Sequence, residues 1–209
     1  MNENKISSQK NIISRQRGRP REFDMDQALD KAIKVFSERG FHASSISDLT
    51  QAMELASGSV YKAFKDKRAI FIAAFDRYKS VRNAQLDANI SQGITGREQL
   101  EHALRFYANS AQGEQGILGC LVVSGTTELL TFDDEIALKL KLSLAASENM
   151  LKALILRGKE DGSIASTVNE EIVGTAILCM TQGMRVVGKT GRSSQEMQSV
   201  VDAALKMLG

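Results

Sequence analysis

The sequence predicts an all-α protein in two parts. An N-terminal three-helix helix-turn-helix unit precedes a larger helical C-terminal domain. Three observations lead there. Apolar residues recur at helical spacing, as in Leu29, Ala32, Ile33 and Phe36, the pattern of a helix that buries one face. Paired capping signals, Ser45 with Asp48, Thr95 with Glu98 and Ser193 with Glu196, mark helix starts, because a hydroxyl and a carboxylate together satisfy free backbone N–H groups. The 209 residues hold one proline and no tryptophan, with 43% hydrophobic and 25% charged side chains, a globular balance rich in helix formers.

The elements follow in order. Residues 1–22 are polar and basic with few apolar anchors, and read as a flexible arm. Asp24 caps the first helix, with Gln27 as its reciprocal partner, and Gly40 supplies a left-handed stop. Ser45 opens the second helix, whose buried stripe is Ile46, Leu49 and Met53. After the short break "ELAS" comes "SGSVYKAFKDKR", residues 57–68, a short helix with two large apolar anchors, Val60 and Phe64. Asp66 caps a fourth helix carrying Phe71, Ala74, Phe75 and Tyr78, which runs to about residue 90 and is interrupted by "SQGITG". Five more helices are expected: from Thr95 to near Gly113, over about 120–130, over about 133–160 with a stop at Gly162, from Thr167 or Asn169 to Val187, and from Ser193 to Leu208. The division is a flexible basic arm at 1–22, a helix-turn-helix unit at 23–75 and a larger helical domain at 76–209.

Charge is unevenly placed. The net +2 divides into +5 over residues 1–21, zero over 22–79 and −3 over 80–209. A basic arm on a neutral-to-acidic body points to a polyanionic partner at the N-terminal end. The stretch "MNENKISSQKN" lacks a secretory apolar core, Cys120 and Cys179 form no disulfide framework, and no apolar run is long enough to span a membrane. These features predict a cytoplasmic protein with no membrane partner.

Short helix, tight turn, short helix is the arrangement that places the N-terminal end of its second helix in the DNA major groove. Ser57, Gly58 and Ser59 occupy that end: hydroxyls reach base edges or phosphates, and glycine lets the backbone approach closely. Tyr61 and Lys62 flank the groove. Lys67, in the first turn of the next helix, is placed to share a phosphate with backbone N–H groups. In "RQRGRPREF", Arg17, Arg19 and Arg21 can enter the adjacent minor groove or attract phosphates generally, and Pro20 keeps the arm extended.

"SSISDLTQAMELASGSVYKAFKDKRAIF" resembles the DNA-binding segment of the TetR family of bacterial repressors. The family pattern falls on Val60, Tyr61, Lys62, Ala63, Phe64, Lys65, Asp66 and Lys67, with Ala63 in place of a frequent histidine. The resemblance is specific over about residues 24–75. It implies that Ser45 and Ser47 contact phosphate or base, and that Ser57, Ser59, Tyr61 and Lys62 make most groove contacts. It also implies a homodimer on a palindromic double-stranded operator, with a helical C-terminal domain that takes a small-molecule effector.

Small residues on the last two helices suit close packing across a two-fold axis; the expected interface residues are Gly174, Met180, Gly183, Val187, Ala204 and Leu208. In "GILGCLVVSGTTELL", Cys120 stands in the first turn of a helix, where the dipole favours a thiolate. Gly119-Cys120-Leu121 also resembles a TetR subgroup in which a cysteine senses electrophiles or oxidants together with a lysine six residues after a glycine, here Gly183 and Lys189. The alternative for Cys120 is a small buried hydrophobe; Cys179, on an apolar helix, is read as packing. His42 and His102 show no metal-ligand spacing with either cysteine, and the sequence has no phosphate loop or dinucleotide fingerprint, so no cofactor is expected. The reading is a ligand-responsive DNA-binding regulator, a repressor, released by a small molecule or by modification at Cys120. A cysteine-dependent enzyme acting on small molecules is the rival, but nothing supplies its orienting group or oxyanion site.

Overall fold

A computed structural model describes residues 24–209, and among them the chain forms ten α-helices and no strand. Arg17, Arg19 and Arg21 lie outside the described residues. Helix α1 spans Met25–Arg39; the Asp24 carboxylate accepts from the N–H groups of Asp26 and Gln27, satisfying donors that have no intrahelical partner. Ala28, Leu29, Ala32 and Phe36 form its buried stripe. The helix stops at Gly40 with φ 82° and ψ 174°. That is the extended positive-φ region open essentially to glycine, and not the left-handed helical turn expected from sequence. A side chain is excluded there a second time, since an added Cβ would sit 2.0 Å from the Glu128 carboxylate.

Helix α2 spans Ile46–Met53 and opens on the Ser45–Asp48 capping box; α3 spans Ser57–Ala63. Leu49, Met53 and Val60 are buried between them and α1. Phe64 lies just past the end of α3 in extended backbone and is also buried, so the short helix is held at both ends of its apolar edge. Helix α4, Lys67–Ile90, is capped by Asp66 and is about 36 Å long at 1.5 Å per residue.

The remaining helices are α5 (Gly96–Ser110), α6 (Gly113–Leu118), α7 (Leu121–Thr127), α8 (Asp134–Glu160), α9 (Glu170–Val187) and α10 (Ser194–Leu205). The Thr95–Glu98 and Ser193–Glu196 boxes form as the spacing predicts. Helix α6 is unanticipated: Gly113, Gly116 and Gly119 argue locally for a loop, yet the six residues Gly113–Leu118 form a short helix that starts on one positive-φ glycine and stops at the next, Gly119.

Two apolar cores form, and α4 threads both. Ile70, Phe71, Ala74 and Phe75 join α1–α3 in the first, and Leu86 joins α5, α8, α9 and α10 in the second. The expected division at residue 75 therefore falls inside a continuous helix. The first core also takes in Leu121, Val122, Ile136 and Leu140 from α7 and α8. Further contacts tie the α1–α2 loop to the C-terminal part. The Glu128 carboxylate accepts from the N–H groups of Phe41 at 3.1 Å and His42 at 3.0 Å. Phe132 packs on Phe41 and Phe71, ring centres 5.0 and 5.2 Å away. Arg68 on α4 pairs with Asp133 and Glu135 at the start of α8.

Candidate nucleic-acid interface and inner cavity

The side chains expected to read DNA lie on α3 and its approaches. Ser57, Gly58 and Lys62 are exposed, Ser59 is half-buried, and Tyr61 is 57% exposed. A Cβ placed on Gly58 would meet nothing within 4 Å, so the first turn of α3 is open on its outer side. An aromatic ring left in water on a helix anchored through Val60 is an informative exposure: the apolar residue with the smaller area is buried and the larger is not.

Two of the side chains expected at the DNA surface have partners within the chain. The Ser45 hydroxyl donates to Asp48 Oδ2 at 2.7 Å and accepts the Asp48 N–H at 3.0 Å, so its one donor is engaged in capping α2. The Asp48 carboxyl is held below its usual range by the Ser45 hydroxyl and N–H, and by Arg39. Ser47 remains exposed on the outer side of α2. Lys67 is the larger departure. Its ammonium donates to the carbonyls of Phe41 at 2.8 Å and Ser44 at 2.9 Å and stands 4.3 Å from the centre of the Phe41 ring. Two of its three donors are thus taken by the α1–α2 loop, whose carbonyls past the end of α1 have no helical partners. Lys67→Met is expected to lower stability by about 1–3 kcal/mol, the range for hydrogen bonds to a charged group, seen as a lower urea midpoint. An unchanged midpoint would return Lys67 to the role of a phosphate ligand only.

The expected thiol pair is also rearranged. Cys120 is buried and is the N-cap residue of α7 rather than a member of its first turn. The Tyr78 hydroxyl donates to its sulfur at 3.2 Å. Burial pushes this thiol up, but the Arg185 guanidinium, the Tyr78 hydroxyl and the backbone N–H groups of Val123 and Val122 outweigh it, and the thiol lies below its ordinary value. Lys189 is not the cation acting there. Its ammonium donates to the Ser37 carbonyl at 3.2 Å, and its side chain crosses Gly119, where an added Cβ would sit 2.3 Å from Cε. Lys189 and Cys120 nevertheless line one shared hollow with Arg185. Arg185 is a site residue that sequence reasoning missed; its signal was a lone cation inside the otherwise apolar run "ILCMTQGMRVV".

A small, partly open cavity of about 40 Å³ lies between α4, α5, α8 and α9. Tyr78, Lys79, Arg82, Asn83 and Leu86 of α4 form one wall, and Phe106, Tyr107, Cys120, Val122, Ser143, Ser147, Gln182 and Arg185 complete it. Arg82 donates to the Ser110 hydroxyl at 2.7 Å and stacks over Phe106 at 4.1 Å. Burial pushes Tyr78 and Tyr107 up from the ordinary phenol value.

The expected interface residues divide. Gly183 and Val187 are exposed and Met180 is half-buried, all on one side of α9. Gly174 is buried against Lys152 of α8. Ala204 and Leu208 are 1% and 0% exposed and belong to the second core of their own subunit, because α10 packs on α5 within the same chain. Cys179, read as packing, is exposed. Beside the α9 residues, α8 leaves Leu138 and Leu142 more than half exposed, a continuation absent from the sequence reading.

Comparison with known proteins agrees with this geometry. Residues 28–74 match the family model described as bacterial regulatory proteins, tetR family. Over 93% of this chain and 93% of its own length, the HTH-type transcriptional repressor ComR of Escherichia coli (strain K12) is 28% identical. A cysteine mutant of the TetR family transcriptional regulator CifR, solved in complex with 26-bp double-strand operator DNA, superimposes with a TM-score of 0.80 at 28% identity, covering 92% of this chain and 100% of that one. A second CifR structure with operator DNA gives a TM-score of 0.79 at 29% identity, covering 90% and 98%. The segment matched to the tetR family falls on α1–α4, and the relatives, TetR-family regulators among them, are similar to the chain through both cores.

Proposed function

We propose that this protein is a homodimeric repressor that binds a palindromic double-stranded DNA operator and leaves it when a small molecule occupies the inner cavity. The observation that carries the reading is the division within α3. Val60 and Phe64 attach it to the core, and Ser57, Ser59, Tyr61 and Lys62 remain for another molecule. The similarity to a named repressor and to a regulator solved on operator DNA supports both the partner and the sign of regulation. The half-sites of such a dimer lie about one helical turn apart, roughly 34–36 Å, or a multiple of it.

The dimer surface is the outer face of α8 and α9. These helices run antiparallel, as the Lys152–Glu171 ion pair and the Glu148–Thr175 hydrogen bond show. That pairing brings Leu138 and Leu142 alongside Gly183, Val186 and Val187, a contiguous apolar face suited to a self-complementary contact. Coupling to DNA follows from α4, which forms a wall of the cavity at one end and packs against α1 at the other. A second link runs through α7, where the Ser124 hydroxyl donates to the Phe36 carbonyl at 3.2 Å. A ligand need only favour one orientation of α4 by a few kcal/mol to change operator occupancy by orders of magnitude.

The Cys120 hollow is read as a binding site and not as a catalytic one. Neither a histidine nor a carboxylate is among the described residues that line it, so a nucleophilic cysteine would lack its base. Capture of genomic fragments tests the whole reading. The expected result is enrichment of one inverted repeat, with affinity that falls steeply as salt rises because bound phosphates release counterions. Retention of all fragments alike, or of none, would overturn it.

A further inference from the structure

The inner cavity is unusual in its charge. Lys79, Arg82 and Arg185 all reach it, and among the described residues its wall carries no carboxylate. Arg185 is 3% exposed, and only Nη2 is engaged, donating to the Gly119 carbonyl at 2.5 Å. Its Nε and Nη1 are fully buried with no hydrogen-bond partner, and so is the Ser143 hydroxyl on the same wall. Buried donors of this kind are rare, since an unmet charged donor is expensive to keep from water. Burial also pushes Lys79 and Arg82 below their ordinary values, against a smaller opposing pull from Cys120 and, for Arg82, from Tyr78.

We propose that the cavity takes a small oxyanion, a carboxylate or phosphate group on a short organic body, and that this anion is the effector. Arg185 and Ser143 supply unmet donors at the inner end. Lys79 brings a second charge from α4, and Leu86, Phe106 and Val122 provide apolar contact for the body of the molecule. The Cys120 sulfur is occupied by the Tyr78 hydroxyl and leaves Arg185 Nε and Nη1 unpartnered. Because Arg185 stands on α9 and Lys79 on α4, one anion bridges the two helices. Its site would exist in this form only in the orientation of α4 that accepts it.

The effector role rests on the regulator reading above, so binding and release are measured separately on the full-length chain. Acetate, butanoate, hexanoate and inorganic phosphate are titrated at constant ionic strength, with acetamide, butanamide and hexanamide as neutral counterparts. At least one anion is expected to raise the melting temperature saturably and its amide is not. Arg185→Gln is expected to weaken that anion about 10- to 100-fold, the range for one charge-assisted hydrogen-bonding group. If Arg185→Gln does not fold because the Gly119 contact is lost, Lys79→Met gives the second reading, with weaker anion binding and no loss of fold. Equal shifts from amides and anions, no shift from any anion, or unchanged anion affinity in Lys79→Met would overturn the site. On captured operator DNA, the stabilising anion is expected to lower affinity at least about tenfold, a coupling of ordinary allosteric size. Binding without that effect would overturn the effector role alone. Failure to capture any DNA would remove the regulator reading and leave the anion titrations standing.

Discussion

Phe36→Ala is expected to lower the free energy of unfolding by about 3–5 kcal/mol, the range for removing a buried aromatic ring. The size follows from position. Phe36 is 0% exposed and packs edge-on against Phe71 at 5.1 Å and alongside Phe41 at 6.1 Å. Its neighbours therefore come from α1, from the α1–α2 loop and from α4. Phe41 and Phe71 are also gripped by Phe132, so collapse into the gap would pull on elements fixed from both sides. A domain is stable by only about 5–15 kcal/mol in total, so this one change is expected to consume a large part of the margin. Urea unfolding monitored by circular dichroism reads the effect as a lower midpoint. A loss under about 1 kcal/mol would mean that the three-helix unit repacks freely and that its α1–α4 geometry is not set by this cluster.

That cluster also marks the limit of what sequence patterns reveal. Helices α1, α2, α5 and α10 could be placed because their caps are local: Asp24, Ser45, Thr95 and Ser193 each bond within three residues. Val60 and Phe64 could be read as anchors because a short helix with two large apolar residues has few ways to use them. What local pattern does not contain is the identity of a distant partner. Lys67 looked like a phosphate ligand because a lysine in a first turn is suited to one. Its partners, the carbonyls of Phe41 and Ser44, lie 26 and 23 residues away. Ala204 and Leu208 have the same periodicity whether they face another subunit or α5, and they face the core of their own chain. Leu138 and Leu142 stand two residues past the buried Ile136 and Leu140, on another side of α8, and both are exposed. Helix α6 was hidden by its glycines.

The cavity shows the same boundary in charge. Lys79, Arg82 and Arg185 are successively 3 and 103 residues apart along the chain, and the first two alone read as ordinary surface cations. Only the fold brings them to one wall. The fold also separates Cys120 from the lysine assigned to it and gives it Tyr78 and Arg185 instead. Those two neighbours favour the thiolate, the effect that the sequence assigned to Lys189.

The second large effect is on DNA. The double variant Tyr61→Ala, Lys62→Ala is expected to lose operator affinity by about 2–6 kcal/mol, at least roughly 30-fold, if each side chain makes one base or phosphate contact. Its stability is expected to be nearly unchanged. Both side chains are exposed, neither belongs to the first core, and alanine favours helix at both positions. The contrast with Phe36→Ala identifies the function of α3. One variant should weaken binding because its helix is no longer held, and the other should weaken it while the helix stays in place. Salt separates the contributions further. Loss of a phosphate contact at Lys62 should reduce the slope of log affinity against log salt by about 1, whereas loss of an uncharged contact at Tyr61 should leave the slope alone. Operator binding by the double variant within about threefold of the parent would place the DNA surface elsewhere on α2 or α3, with Ser47 and Ser57 as the remaining exposed hydroxyls.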